Sequence, residues 1–305
     1  MAQAYLPITT QTTPNLLLLT LNMVWWGRQL NKPHWERIFE NRVATQLTEF
    51  TQEMMPVTLG DVKEEADPLP IGQAGQGPTT SYRMKTYGNS IYISLEELQD
   101  NQYKKDWSPR AMGFAQAQEV LRNLVVFNLF NDAKNTGSAG GDGLPLLSTT
   151  HLQYNGTYAN TWSTPTVLNK TSYTQMVEGT QLFQNYTGYP LEYVPKLLLT
   201  SIQNAQNAKT LMFSPDDPTT ANRAINSLFG DYFNEGMIIS PYLRDPECFF
   251  GITTAEEGFI FWRRMPWTIQ DLPGTNTLVY AYYGVERFAV GYAKANCTYG
   301  STFLT

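Results

Sequence analysis

The sequence is poor in the residues on which most enzyme chemistry depends. Its 305 residues include two cysteines and two histidines. Cys248 and Cys297 form no CxxC or metal-ligand pattern, so free, reduced thiols are expected. A metal site would have to lean on carboxylates, and no tight Asp/Glu/His cluster offers one. Charge is scarce too, at 16% of residues against roughly 25% in an average soluble protein. The formal net charge is −6 and no basic stripe is visible, which argues against a tight grip on nucleic-acid phosphate. The apolar run "LLLLTLNMVWW" (16–26) is interrupted by Asn22 and falls short of the about 20 residues of a membrane span. No basic start or small-residue cleavage site marks a signal peptide. The Asn-x-Ser/Thr sequons at Asn155, Asn169, Asn185 and Asn296 accordingly read as chance. What is abundant is aromatic: 13% Phe, Trp and Tyr, within 42% apolar residues. That fits a large core in a monomer, and equally a surface made to pack against neighbours, since interface cores are rich in aromatics and poor in charge.

Along the chain, "HWERIFENRVATQLTEF" places Trp35, Ile38, Phe39, Val43 and Leu47 at helical spacing after Pro33. "GDVKEEADPLPIGQAGQGP" is rich in Gly, Pro and charge, and "TSYRMKTYGNSIYIS" beyond it has strand-forming residues in partial alternation. The two sides read as a long β-hairpin, polar on both faces, which needs a surface to lie on. Ser108 as N-cap and Pro109 at the first helical position predict a long helix over 108–134, with an early stripe of Phe114, Ala117, Leu121 and Leu124 and an all-round apolar end at "LVVFNLF". After a glycine-rich stop and a Thr/Asn-rich loop come a helix in "SYTQMVEGTQLFQNY", a strand in "YVPKLLLTS", a helix in "SIQNAQNAKTLMF" and a strand in "MIISPYL". This alternation predicts an α/β layer over 166–244. "CFFGITT", "GFIFWRRM" and "TNTLVYAYYGVERFAVGYA" read as closing strands, with the chain crossing out to the layer and back.

Three stretches invite a chemical reading. "DGLPLLSTTH" gathers Asp142, Ser148 and His151. A catalytic serine of the hydrolase type needs flanking glycines on a strand–helix elbow, and Ser148 has none; Asp142-Gly143 followed by Pro145 is better read as a turn. "FWRRMPW" sets Arg263 and Arg264 among aromatics, an arrangement more typical of packing or a subunit contact than of base stacking. The glycines of 137–143 precede no GK[ST], so they make no phosphate loop.

In their order and spacing, "SLEELQDNQY", "DGLPLLSTTH", "GTYANTWSTPTVL", "YVPKLLLTSIQNAQNA", "MIISPYLRDPECFFGI", "FIFWRRMPWTIQD" and "YAYYGVERFAVGYAKANCTYGS" resemble the major capsid proteins of tailed bacteriophages, of the Mu-type major head subunit family with the Hong-Kong-97-type capsid fold. The resemblance runs from about residue 96 to the end; "LLLLTLNMVWWGRQ" departs from it. It implies an α+β chain made of an N-terminal arm (1–55), an extended β-hairpin loop (56–95), a peripheral domain with spine helix 108–134 (96–165), an α/β axial domain (166–244), and return strands of the peripheral domain with the C-terminus (245–305). It implies a non-enzymatic head protein that self-assembles, in the cytoplasm of a bacterial host, into pentamers and hexamers of an icosahedral shell enclosing double-stranded DNA in the virion. The implied partners are further copies of the chain, portal, scaffold, and decoration or cement proteins, with packaged DNA touched weakly and without specificity and no membrane involved. No catalytic residue, cofactor or metal ligand is implied. Subunit contacts are expected at Lys63, Glu64, Glu65, Arg83, Lys85, Trp35, Arg263 and Arg264. Some relatives cross-link Lys to Asn; Lys63 and Lys85 lie in the hairpin region, but no residue pattern carries that chemistry over and none is expected. Two alternatives stand beside this reading: an encapsulin-like nanocompartment shell on the same fold, and, more remotely, a hydrolase using Ser148 and His151.

Overall fold

Two sheets and one long helix organise the chain. The computed structural model describes residues 13–29, 33–54, 57, 62–63, 71–72, 75–100, 103–153, 156–185, 188–216, 226, 230, 232–272 and 279–304. In the first sheet β1 (Phe39–Val43) lies parallel to β10 (Phe259–Leu272). The antiparallel strands β11 (Val279–Tyr292) and β4 (Lys85–Ser94) complete the order β1-β10-β11-β4. The β10–β11 register slips between Arg263 and Met265 and again before Thr268. Pro266 sits in that irregular stretch, where its missing N–H does least damage to the ladder.

The helix α3 (Tyr103–Asn131) crosses this sheet over a length of about 43 Å. Alternate residues of β11 meet it: Tyr282 packs edge-on against Trp107 at 5.7 Å, and Phe288 enters the core that holds Phe127 and Phe130. The helix starts five residues before the expected Ser108, so Pro109 lies inside it and Ser108 is not its cap. A proline there removes one backbone donor. Burial of Trp107 and Ala111 against Ile93 and Tyr282 holds the extra turn in place. The expected stripe is also displaced: Ala117 is exposed and Leu124 is 42% exposed. The buried line runs instead through Ala111, Phe114, Ala115, Gln118, Arg122 and Val126. Helix α1 (Thr13–Gln29) lays Leu17, Leu21 and Trp25, one per turn, into the same cluster.

Residues 34–54 correct the helical reading of "HWERIFENRVATQLTEF". After one short 3-10 turn (His34–Arg37) the chain enters β1 and then β2 (Thr48–Met54). Trp35 stacks on Phe261 at 4.6 Å and Phe39 packs on Phe259 at 5.4 Å, so both are core residues, whereas Val43 is 78% exposed. Pairing along β10 overrode the helical spacing. The hairpin is displaced too. Its strands are β2 and β3 (Gln76–Arg83), paired from Thr48↔Arg83 to Met54↔Gln76, while β4, read as hairpin, belongs to the first sheet.

The second sheet has the order β12-β9-β7-β8, from β7 (Pro195–Ser201), β8 (Met237–Ser240), β9 (Phe249–Thr253) and β12 (Thr298–Ser301). Two of its strands come from the closing segment, which was expected to complete the first sheet only. Leu197, Leu199, Phe250 and Ile252 face the core shared with α3. Leu198, Phe249 and Tyr299 face α4 (Lys170–Gln181) and α5 (Ala205–Phe213). Both faces are covered, which explains the unbroken apolar runs "LLL" and "FF". Helix α4 is capped by a reciprocal pair, Asn169 with Ser172.

Candidate functional site

The turn at 142–151 is built for structure. Gly143 takes φ +77°, and the Asp142 carboxylate accepts from the Leu144 N–H at 3.1 Å and pairs with His151 Nδ1 at 2.6 Å. Burial pushes the Asp142 carboxyl up, but these hydrogen bonds outweigh it and leave the group below the usual aspartate range. His151 is fully buried, and its Nε2 faces the Leu146 carbonyl at 3.3 Å. Ser148 Oγ instead meets the Thr150 N–H and hydroxyl at 3.2 and 3.1 Å. Both imidazole nitrogens are therefore engaged away from the hydroxyl, and the base–nucleophile contact that a triad requires is not made. Asn160, also fully buried, ties the turn to the closing segment by donating to the carbonyls of Leu146 and Ala295 and accepting from the Ser148 N–H. Cys248 and Cys297 are free and buried, and burial pushes both thiols up, away from the reactive thiolate.

A second polar centre escaped the sequence reading. Glu286 of β11 has no exposed surface, yet it accepts from Arg122 Nε at 2.7 Å and Gln118 Nε2 at 2.8 Å. The Arg122 guanidinium lies 4.9 Å over the Trp25 ring, so one charged pair joins α1, α3 and the first sheet. The available signal was the four-residue spacing of Gln118 and Arg122 in register with Ala111 and Ala115; a search confined to apolar residues passes over it.

The residues expected at subunit contacts fall into different surroundings. Lys63, Arg83, Lys85 and Arg264 are exposed. Arg263 lies half-buried over the Phe261 ring at 5.5 Å; burial pulls its pKa down, and neighbouring Arg122 adds to that. Trp35 is a correction: at 1% exposure it belongs to the subunit's own core. Glu64 and Glu65 lie outside the described residues. The β2–β3 hairpin itself has two unlike faces. Thr80 and Tyr82 are buried, Tyr82 against Trp262 and tight above Gly291, and Thr80 tight above Gly141. On the opposite face Phe50 and Met54 stand 61% and 67% exposed. Between the hairpin base, α3 and β11 lies a cleft of about 500 Å³ lined by Arg83, Lys85, Tyr87, Val125, Leu129 and Asp132. Among the described residues no cluster of metal-ligating side chains occurs, and no helix is long and apolar enough to cross a membrane.

A spine helix backed by a sheet, a two-stranded hairpin projecting from its base, and an α/β layer that the chain enters and leaves are the parts of the Hong-Kong-97-type capsid fold. Solved structures agree. The structure of Mycobacterium phage Patience is similar with a TM-score of 0.54 at 11% identity, over 97% of this chain and 88% of that one. The capsid of Myoviridae phage XM1 is similar with a TM-score of 0.51 at 10% identity, over 87% and 88%. The procapsid of bacteriophage JBD30 gives 0.51 at 12% identity, over 97% and 76%, while the chain spans 65% of the length of a JBD30 capsid chain. No curated protein matches by sequence. The phage capsid protein family model matches residues 77–297, and the chain belongs to that family.

Proposed function

We infer that the chain is the major head subunit of a tailed phage, of the Mu-type group its sequence resembles. Copies would assemble as pentamers and hexamers into an icosahedral shell around double-stranded DNA in the virion, with assembly taking place in the bacterial cytoplasm. Portal, scaffold and decoration proteins are its expected partners, and the role is mechanical rather than catalytic. In this reading the first sheet with α3 serves as the peripheral domain, the second sheet with α4 and α5 as the axial domain, and the hairpin as the extended loop. The observation that carries the reading is the hairpin, seated on its own subunit by one face and offering Phe50 and Met54 on the other. A closed shell needs each copy to touch neighbours through unlike surfaces, and many weak contacts then add up. Net charge −6 suits a wall that contains DNA without adhering to it.

Negative-stain electron microscopy of the purified chain, alone and co-expressed with its genomic neighbours, tests this. Shells, tubes or capsomer rings are expected. A monomer in every such preparation contradicts the reading. Packaged DNA against a protein cargo separates a phage head from a nanocompartment shell.

A further inference from the structure

The inner face of the hairpin rests on two glycines. A Cβ at Gly141 would come within 2.7 Å of Thr80 Oγ1 and 2.8 Å of the Thr79 backbone, and one at Gly291 within 2.6 Å of the Tyr82 ring. Gly291 is fixed in β11, but Gly141 belongs to the turn, one residue before Asp142. That turn is held at its far end by His151, whose Nδ1 lies 2.6 Å from the Asp142 carboxylate. The His151 ring packs on Tyr158, with centroids 5.3 Å apart, and Tyr158 packs edge-on against Phe183 at 5.2 Å. Phe183 is buried in the cluster that α4 and α5 form with one face of the second sheet. From Thr80 through Gly141, Asp142, His151 and Tyr158 to Phe183, each group is bonded to the next or in contact with it. Beside this line the two regions face each other across a narrow cavity of about 20 Å³, with Glu53 and Pro78 of the hairpin on one side and Gln184 on the other.

We propose that the Asp142–His151 pair couples the seating of the hairpin to the packing of the α4–α5 layer. Close-packed groups leave no slack, so a displaced ring moves its neighbour, and a charge-assisted contact as short as this one yields little. The hairpin is the element with two arrangements that such coupling needs, seated on Gly141 or lifted from it. Asp142 and His151 act here as positioning residues. The coupling belongs to the single chain and does not depend on the capsid reading; in a shell it would carry a neighbour's push on α4 or α5 to the hairpin.

The test is native-state amide exchange of the free chain, with β2 and β3 as the reporter and circular dichroism confirming the fold of each variant. Amides that exchange by local opening do not respond to a uniform loss of stability, so a change there marks the hairpin's own seating. Gly141→Ala should speed exchange in β2 and β3 about tenfold, because the added methyl pushes the hairpin off its support. Phe183→Leu, remote from the hairpin, should speed it about threefold or more. Phe250→Leu, a like change on the opposite face of the second sheet, should leave it unaltered. Asp142→Asn should speed it too, and in that background Phe183→Leu should add nothing; His151→Gln makes the same cut if Asp142→Asn does not fold. Hairpin exchange unmoved by Gly141→Ala or by Phe183→Leu, or moved equally by Phe183→Leu with the pair intact and cut, would overturn the proposal. Each of those results leaves the capsid reading standing, and a chain that never assembles leaves the coupling standing.

Discussion

The second sheet and the hairpin are both β-structure, yet they are completed in opposite ways. In β7 and β9 nearly every residue is buried, because one face meets the α3 core and the other meets α4 and α5. In β2 no residue is fully buried, and among the described residues only one face of the hairpin packs closely against the rest of the chain. The sheet is closed on both faces within the chain, whereas the hairpin leaves Phe50 and Met54 exposed on one face, the face that the proposed shell role assigns to a neighbouring copy.

The contrast breaks most severely in the core. Phe250→Ala removes a ring, at 0% exposure, that packs on Phe130 at 5.2 Å, and should cost about 3–5 kcal/mol in denaturant unfolding. Glu286→Ala comes close behind: it leaves Arg122 buried without its anion and should cost about 3–5 kcal/mol, with Glu286→Gln milder because it keeps an acceptor for Arg122. Asp142 gives a smaller, pH-dependent effect. Its carboxyl lies below the ordinary aspartate value of about 3.9, so its contribution is complete above that value and is lost as pH falls through the lower, folded-state value. Melting curves recorded downward from about pH 6 should show wild type above Asp142→Asn, with the gap closing in acid. A constant gap contradicts the assignment. Phe50→Ser should move the unfolding midpoint of the free chain least, by less than about 0.5 kcal/mol, while raising the concentration needed for assembly. A large loss of stability there would mean that the open face is part of the subunit's own core.

The same contrast decides what could be read from the residues alone. The strands at "KLLLTS" and "FFGIT" and the helices after Asn169 and Ser201 fall close to where their patterns put them, because burial on both faces leaves an unambiguous apolar run. The long helix was legible in its apolar end. Its start was misread because Ser108-Pro109 is a strong local signal that the burial of Trp107 overrides. Residues 34–54 failed for the opposite reason. Trp35, Ile38 and Phe39 are adjacent enough to suit either a helix face or a turn entering a strand, and only the parallel partner β10, more than two hundred residues away, decides. The turn at Asp142-Gly143 falls where its letters put it, and the closeness of Asp142 to His151, which the same letters suggested, is real. The Gln118–Arg122–Glu286 centre stayed hidden because buried polar groups carry no signature in hydrophobic periodicity.

Amide hydrogen exchange of the free chain and of assembled particles, compared strand by strand, tests the central claim most directly. The account predicts slow exchange in β7 and β9 in both states, and protection in β2 and β3 that rises sharply on assembly. Equal protection of the hairpin before and after assembly would show that it is complete within one chain, and would contradict the account.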